Sequence, residues 1–109
     1  MAFDESLAGD IRDVLARKLN IEEKKMFGSM GFLLNGNLLV GVWKDSLIVR
    51  VGPDAYEEAL LEPHVKEFDI TGRPMKGWIM VEPEGVEEDD QLKDWIERAN
   101  KFVETLQKK

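Results

Sequence analysis

The sequence predicts an α+β domain, an antiparallel sheet with helices packed mainly on one face. Three observations predict it. Apolar residues recur at helical spacing near both ends of the chain. The middle carries β-branched and aromatic runs separated by turn residues. Asn35-Gly36 falls between two of those runs, the strongest short-range hairpin signal. The expected order is α-β-β-β-α-β-β-α, in a single domain over residues 1–109.

Each element has its own reason. Residues 4–19 read as a helix, because Leu7, Ile11, Val14, Leu15 and Leu19 form one stripe. Asp4, Glu5 and Asp10 suit its positive end, Arg17 and Lys18 its negative end, and Asn20 stops it. Residues 26–51 read as three strands. The Asn35-Gly36 turn is expected to pair Leu34 with Asn37, Phe32 with Leu39 and Met30 with Gly41. A second turn near Lys44-Asp45 leads into Leu47–Val51. Gly52-Pro53-Asp54 opens a short helix, with proline at a position where its missing N–H is not needed, and Pro63 closes it. Val65–Thr71 and Lys76–Val81 are the last two strands, joined through Gly72-Arg73-Pro74. The final helix runs from about Asp90 to Leu106, on the stripe Leu92, Trp95, Ile96, Ala99, Phe102, Val103 and Leu106. Asp89 or Asp90 is the expected cap.

Composition excludes several chemistries. The chain has 109 residues, a formal charge of −7 and no cysteine. Disulfide scaffolds, thiolate metal sites, iron–sulfur clusters and cysteine nucleophiles are therefore excluded. One histidine excludes a multi-histidine metal site, and no cofactor is implied. The acids concentrate at the two helical ends, and residues 24–81 carry seven acids and seven bases. That balance argues against direct nucleic-acid binding and against capture by an anionic membrane. No targeting segment or membrane-length apolar run is visible, so a cytoplasmic location is expected.

The expected register sorts the sheet into two faces. One collects Leu33, Leu38, Val40, Val42, Leu47, Val49 and Val51, and should lie against the helices. The other collects Gly28, Met30, Phe32, Leu39, Gly41, Trp43, Ile48 and Arg50. It is too apolar and aromatic for an ordinary solvent face. Its cover would be a helix of the same chain, a second copy, or a bound ligand or peptide. Met30, Phe32, Leu39, Trp43, Ile48 and Arg50 are thus the candidate interaction face.

Catalytic signals are poor. His64 stands alone in a loop. Ser29 lies in Gly-Ser-Met-Gly ahead of a strand, which is not a nucleophile elbow. Gly28-x-x-Gly31 does not open a helix, as a phosphate-cradling loop would. The paired carboxylates, such as Glu57-Glu58 and Asp89-Asp90, fit no calcium-loop spacing. The sequence therefore yields no catalytic or metal-binding residue. Lys24, Lys25, Arg50, Arg73 and Lys76 are a scattered basic set. Of these, Lys25, Arg50, Arg73 and Lys76 are the candidate contacts for an anion or an acidic partner.

Three motifs also match a known family. They are Met26-Phe27-Gly28-Ser29-Met30-Gly31-Phe32-x-Leu34-Asn35-Gly36-Asn37, then Val49-Arg50-Val51-Gly52-Pro53, then Gly72-Arg73-Pro74-Met75-Lys76-Gly77-Trp78. In this order they resemble the N-terminal domain of the TfoX (Sxy) competence-regulator family, over about residues 10–105. The matching positions are Met26, Phe27, Gly28, Gly52, Arg73, Pro74, Met75, Lys76 and Gly77. The resemblance implies the same element order, in a fold like that of secretion chaperones. It implies transcriptional regulation of DNA uptake, in members that carry a second, C-terminal domain. This chain ends at Lys109, so a stand-alone N-terminal domain is expected. The resemblance brings no catalytic residues with it.

The favoured expectation is a non-catalytic regulatory or protein-interaction module whose partner is another protein or a second copy. The alternative is a small-ligand or anion-binding protein, or an enzyme, with a pocket near Trp43, Arg50 and Lys76. Direct DNA binding is the weakest of the three.

Overall fold

The computed structural model describes residues 4–18, 20–26, 29–68, 72 and 75–106. The expectations placed on Leu19, Phe27, Gly28, Arg73, Pro74, the Met26 side chain and the 69–71 stretch lie outside the described residues. Helix α1 is Glu5–Val14, and Asp4 caps it by accepting from the Ser6 and Leu7 amides at 2.9 and 3.2 Å. It is shorter than the apolar stripe suggests. The amides of Ala16 and Lys18 reach back only three residues, to Asp13 and Leu15, so the chain tightens into 3₁₀-type turns.

Six strands follow, β1 (Ile21–Met26), β2 (Ser29–Leu34), β3 (Asn37–Trp43), β4 (Ser46–Arg50), β5 (Val65–Glu67) and β6 (Trp78–Val81). Helix α2 (Tyr56–Leu60) lies between β4 and β5, and α3 (Asp89–Val103) closes the fold. The α+β class and the order of helices and strands are as expected, with β1 added ahead of the hairpin. All pairs are antiparallel, in the spatial order β1-β2-β3-β4-β6-β5. Residues 53–55 form a turn, so α2 starts three residues after Pro53. The cap of α3 is Glu88 instead of an aspartate, and the Gln91 side chain accepts from its amide at 2.9 Å.

The β2–β3 turn is built as its sequence demands. Asn35 and Gly36 both have positive φ, 53° and 83°, which is why those two residue types stand there. Beyond the turn the register differs from expectation. Leu34 faces Asn37 and Leu33 faces Leu38, but Phe32 faces Val40 and Met30 faces Val42. A bulge between Phe32 and Leu33 introduces the shift. It moves Met30 and Phe32 to the same face as Val40, Val42, Leu47 and Val49, and Leu33 to the other.

The core sits on the shifted face. Leu7, Ala8 and Ile11 of α1 pack into one buried cluster with Leu92, Trp95, Ile96, Ala99 and Val103 of α3. Met30, Phe32, Val40, Val42, Leu47, Val49, Ile79 and Val81 meet them from the sheet. Among the described residues, no helix is long and apolar enough to cross a membrane.

Candidate functional site

The register decides which proposed interface residues remain together. Met30, Phe32 and Leu39 are 7%, 1% and 0% exposed and belong to the helix-packed core. Their expected place on a free face is therefore corrected: the bulge turns Met30 and Phe32 of β2 over relative to β3, and Leu39 is the β3 residue it leaves unpaired between Leu38 and Val40. By register Trp43, Ile48 and Arg50 stay on the face turned away from the helices, and at the strand end the Arg50 guanidinium reaches round to the Phe102 ring of α3. Gly31, Gly41, Ile48 and Met80 make one row across that face, with Lys24 at one end and Lys66 at the other. Ile48 and Met80 are buried without being part of the helix-packed cluster. Trp43 and Trp78 are half-buried on either side of the row. The sequence pattern does not assign Trp78 to this face. Its position follows only once Arg50 is known to pair with it.

Arg50 is the last residue of β4. Its guanidinium carbon lies 5.0 Å from the Trp78 ring centre and 5.7 Å from that of Phe102 on α3. One N–H points at the Leu38 carbonyl from 3.5 Å, the outer limit of a hydrogen bond. Partial burial lowers its pKa, and no carboxylate among the described residues offsets that. Arg12 and Arg98 are placed differently. Arg12 grips Glu23 with two N–H groups, each at 2.6 Å. Arg98 holds Glu62 and Asp94 while stacked 4.4 Å over Trp95.

The proposed pocket near Trp43, Arg50 and Lys76 does not assemble. Trp43 pairs with Ser46 at one end of β4 and Arg50 stands at the other. Four residues of strand separate those ends by roughly 13 Å. Lys76 is exposed in the turn before β6, whose Gly77 carbonyl accepts from the Val51 and Gly52 amides. Lys25 is farther away. It lies level with Met30, Val42 and Leu47 on the edge strand, three strands or about 14 Å from β4, on the helix side. Met75 is 36% exposed, Gly52 and Gly77 are buried, and Arg73 lies outside the described residues. The basic set therefore forms no single site. His64 has φ 65° and is exposed, and its carbonyl accepts from the Glu82 amide at 2.8 Å.

A concavity that the sequence did not announce lies between α2 and α3. It has a volume of about 440 Å³. Val51, Ala59 and Phe102 supply apolar lining, with Glu58 and Lys101 among its charged residues. Contact between α2 and α3 depends on tertiary packing, which residue spacing within either helix does not report.

These features define a small α+β domain with one sheet face committed to its helices and the other bearing cations beside tryptophans. The family model for the TfoX N-terminal domain matches residues 13–103, and the chain belongs to that family. No curated protein and no solved structure matches the chain significantly.

Proposed function

We propose that this chain is a non-catalytic protein-interaction module of a regulatory system, acting in the cytoplasm. The observation that carries the reading is the TfoX N-terminal domain over residues 13–103. The geometry supports it through the division of labour between the two sheet faces. Competence and transcription regulation are the setting the family suggests, and the partner is another protein or a second copy.

Photo-crosslinking tests the reading. A crosslinking side chain replaces Trp43 on the helix-free face and, as the control, Lys101 on α3, in cells of the native host. A discrete protein adduct from position 43 and not from position 101 is expected. Absence of any protein adduct from position 43 in a folded variant would overturn it.

The groove between α2 and α3 favours a second reading, a small-ligand site, since its volume falls in the range of ligand pockets. Ala59→Trp would fill that groove. A ligand that raises the melting temperature of the native chain but not of this variant would support the second reading.

A further inference from the structure

We infer that the helix-free face of the sheet docks an acidic protein segment, with Lys24, Arg50 and Lys66 as its cationic contacts and Trp43 and Trp78 beside them. This rests on the interaction reading and adds the partner's chemistry.

The charge on that face opposes the charge of the chain. The whole protein carries −7. Among the described strand residues on the helix-free face, the charged positions are Lys24, Arg50, Lys66 and Glu22. Among the described residues Lys66 has a loose neighbour in Glu82 at 4.0 Å, with both side chains about half exposed. Lys44, next to this face, lies 4.6 Å over the Trp43 ring. Arg50 adds an independent observation. An arginine that is partly withdrawn from water is usually matched by a carboxylate. Here the described neighbours are two rings and a carbonyl. The rings flank the guanidinium, and its N–H fork suits a carboxylate arriving from outside.

The same observations choose among partners. Ile48 and Met80, the apolar middle of the face, are already buried, so charge, the tryptophan edges and the half-buried Leu33 and Leu38 are what remains to be recognised. A second copy would bring the same excess of cations, which repel. A nucleic acid is a long polyanion that would meet the acidic helical ends as well as this face. An extended acidic segment of about seven residues spans the roughly 24 Å from Lys24 to Lys66, so it meets the three cations one at a time, each within the roughly 8 Å that screening allows.

The three tryptophans provide the test. Trp43 and Trp78 border this face, and Trp95 is buried in the core beneath Arg98. The probe is a short peptide of alternating glutamate and valine, titrated into ¹⁵N-labelled protein and followed by the indole N–H signals. The Trp43 and Trp78 signals are expected to move and the Trp95 signal to stay. Lys24 and Lys66 are exposed, so Lys24→Glu with Lys66→Glu leaves the core untouched. That double variant is expected to bind the peptide about tenfold more weakly.

Unmoved Trp43 and Trp78 signals would overturn the inference. So would an equal response to the lysine-for-glutamate peptide, or a stronger one to oligo-dT of the same length. Movement of those signals on concentrating the protein alone would assign the face to a second copy and also overturn it. If the peptide fails while crosslinking from position 43 still captures a protein, the interaction reading stands and only the acidic partner falls.

Discussion

Phe32 faces Val40 across the β2–β3 ladder, one residue beyond the partner an unbroken hairpin would give it. That pairing puts the Phe32 ring under the helices, 1% exposed, and leaves Leu33 half-buried on the opposite face. Phe32→Ala is therefore expected to cost about 3–5 kcal/mol of stability, as for other buried aromatic truncations. Leu33→Ala should cost about 1 kcal/mol. Urea unfolding of the two variants measures both. Equal costs, or a larger one at Leu33, would contradict the register.

The hairpin and its displaced register show how far the sequence is readable. Asn35-Gly36 marks the turn because both residues accept positive φ, which few others do. The bulge has no such marker. Leu38-Leu39-Val40 is apolar in either register, so a one-residue slip leaves the local pattern unchanged while turning every β2 side chain over. Strand β1 was missed for a related reason. Ile-Glu-Glu-Lys-Lys-Met has no apolar alternation, because it is an edge strand with charged side chains on both faces. The α3 stripe was legible because five of its residues are buried at the expected spacing. The candidate site was only partly legible. Trp43, Ile48 and Arg50 kept their shared face through the β3–β4 register, but their positions along the strand keep Trp43 and Arg50 apart.

Edge strand β1 is tied to α1 by Arg12 and Glu23, and this tie should depend on pH. The hydrogen bonds from Arg12, aided by its charge, hold the Glu23 carboxyl below the ordinary glutamate range, with partial burial opposing them. The folded-state pKa is thus the lower one. The stabilisation is complete above the unfolded-state value and disappears as pH falls through the folded-state value. An NMR titration of the Glu23 carboxyl should show a depressed midpoint, and Arg12→Gln should return it to the ordinary range. An unchanged midpoint in that variant would mean Arg12 is not the cause.

Arg98 makes a second tie, between α3 and the residues just after α2. It pairs with Glu62 and Asp94 with more than a third of its side chain exposed. Water screens pairs of this kind, so Arg98→Gln should cost only about 0.5–1 kcal/mol globally. The local effect is expected to be larger in kind. Amide hydrogen exchange in α2 should speed up while exchange in β3 and β4 stays slow. Unaltered exchange in α2 would show that apolar packing alone holds the helix.

Gly52 and Gly72 allow backbone strain to be separated from packing. Their φ angles are nearly equal, 88° and 90°, so alanine meets similar left-handed strain at either position. Their surroundings differ. Among the described residues a Cβ at Gly72 meets nothing within 4 Å, whereas one at Gly52 would stand 2.4 Å from Cδ1 of Phe102. Gly72→Ala should therefore cost about 1 kcal/mol, the conformational part alone. Gly52→Ala should cost that plus the displacement of the Phe102 ring, about 2–4 kcal/mol in all. Phe102→Ala removes the obstruction, so the Gly52→Ala cost measured in that background should fall towards the Gly72 value. A double-mutant cycle by chemical denaturation reads the coupling directly. The ring also lies beside Arg50, so its displacement should move the Trp78 indole signal, a change that Gly72→Ala should not produce. Additive costs in the cycle would mean that Phe102 moves aside freely and that Gly52 is required for its backbone conformation alone.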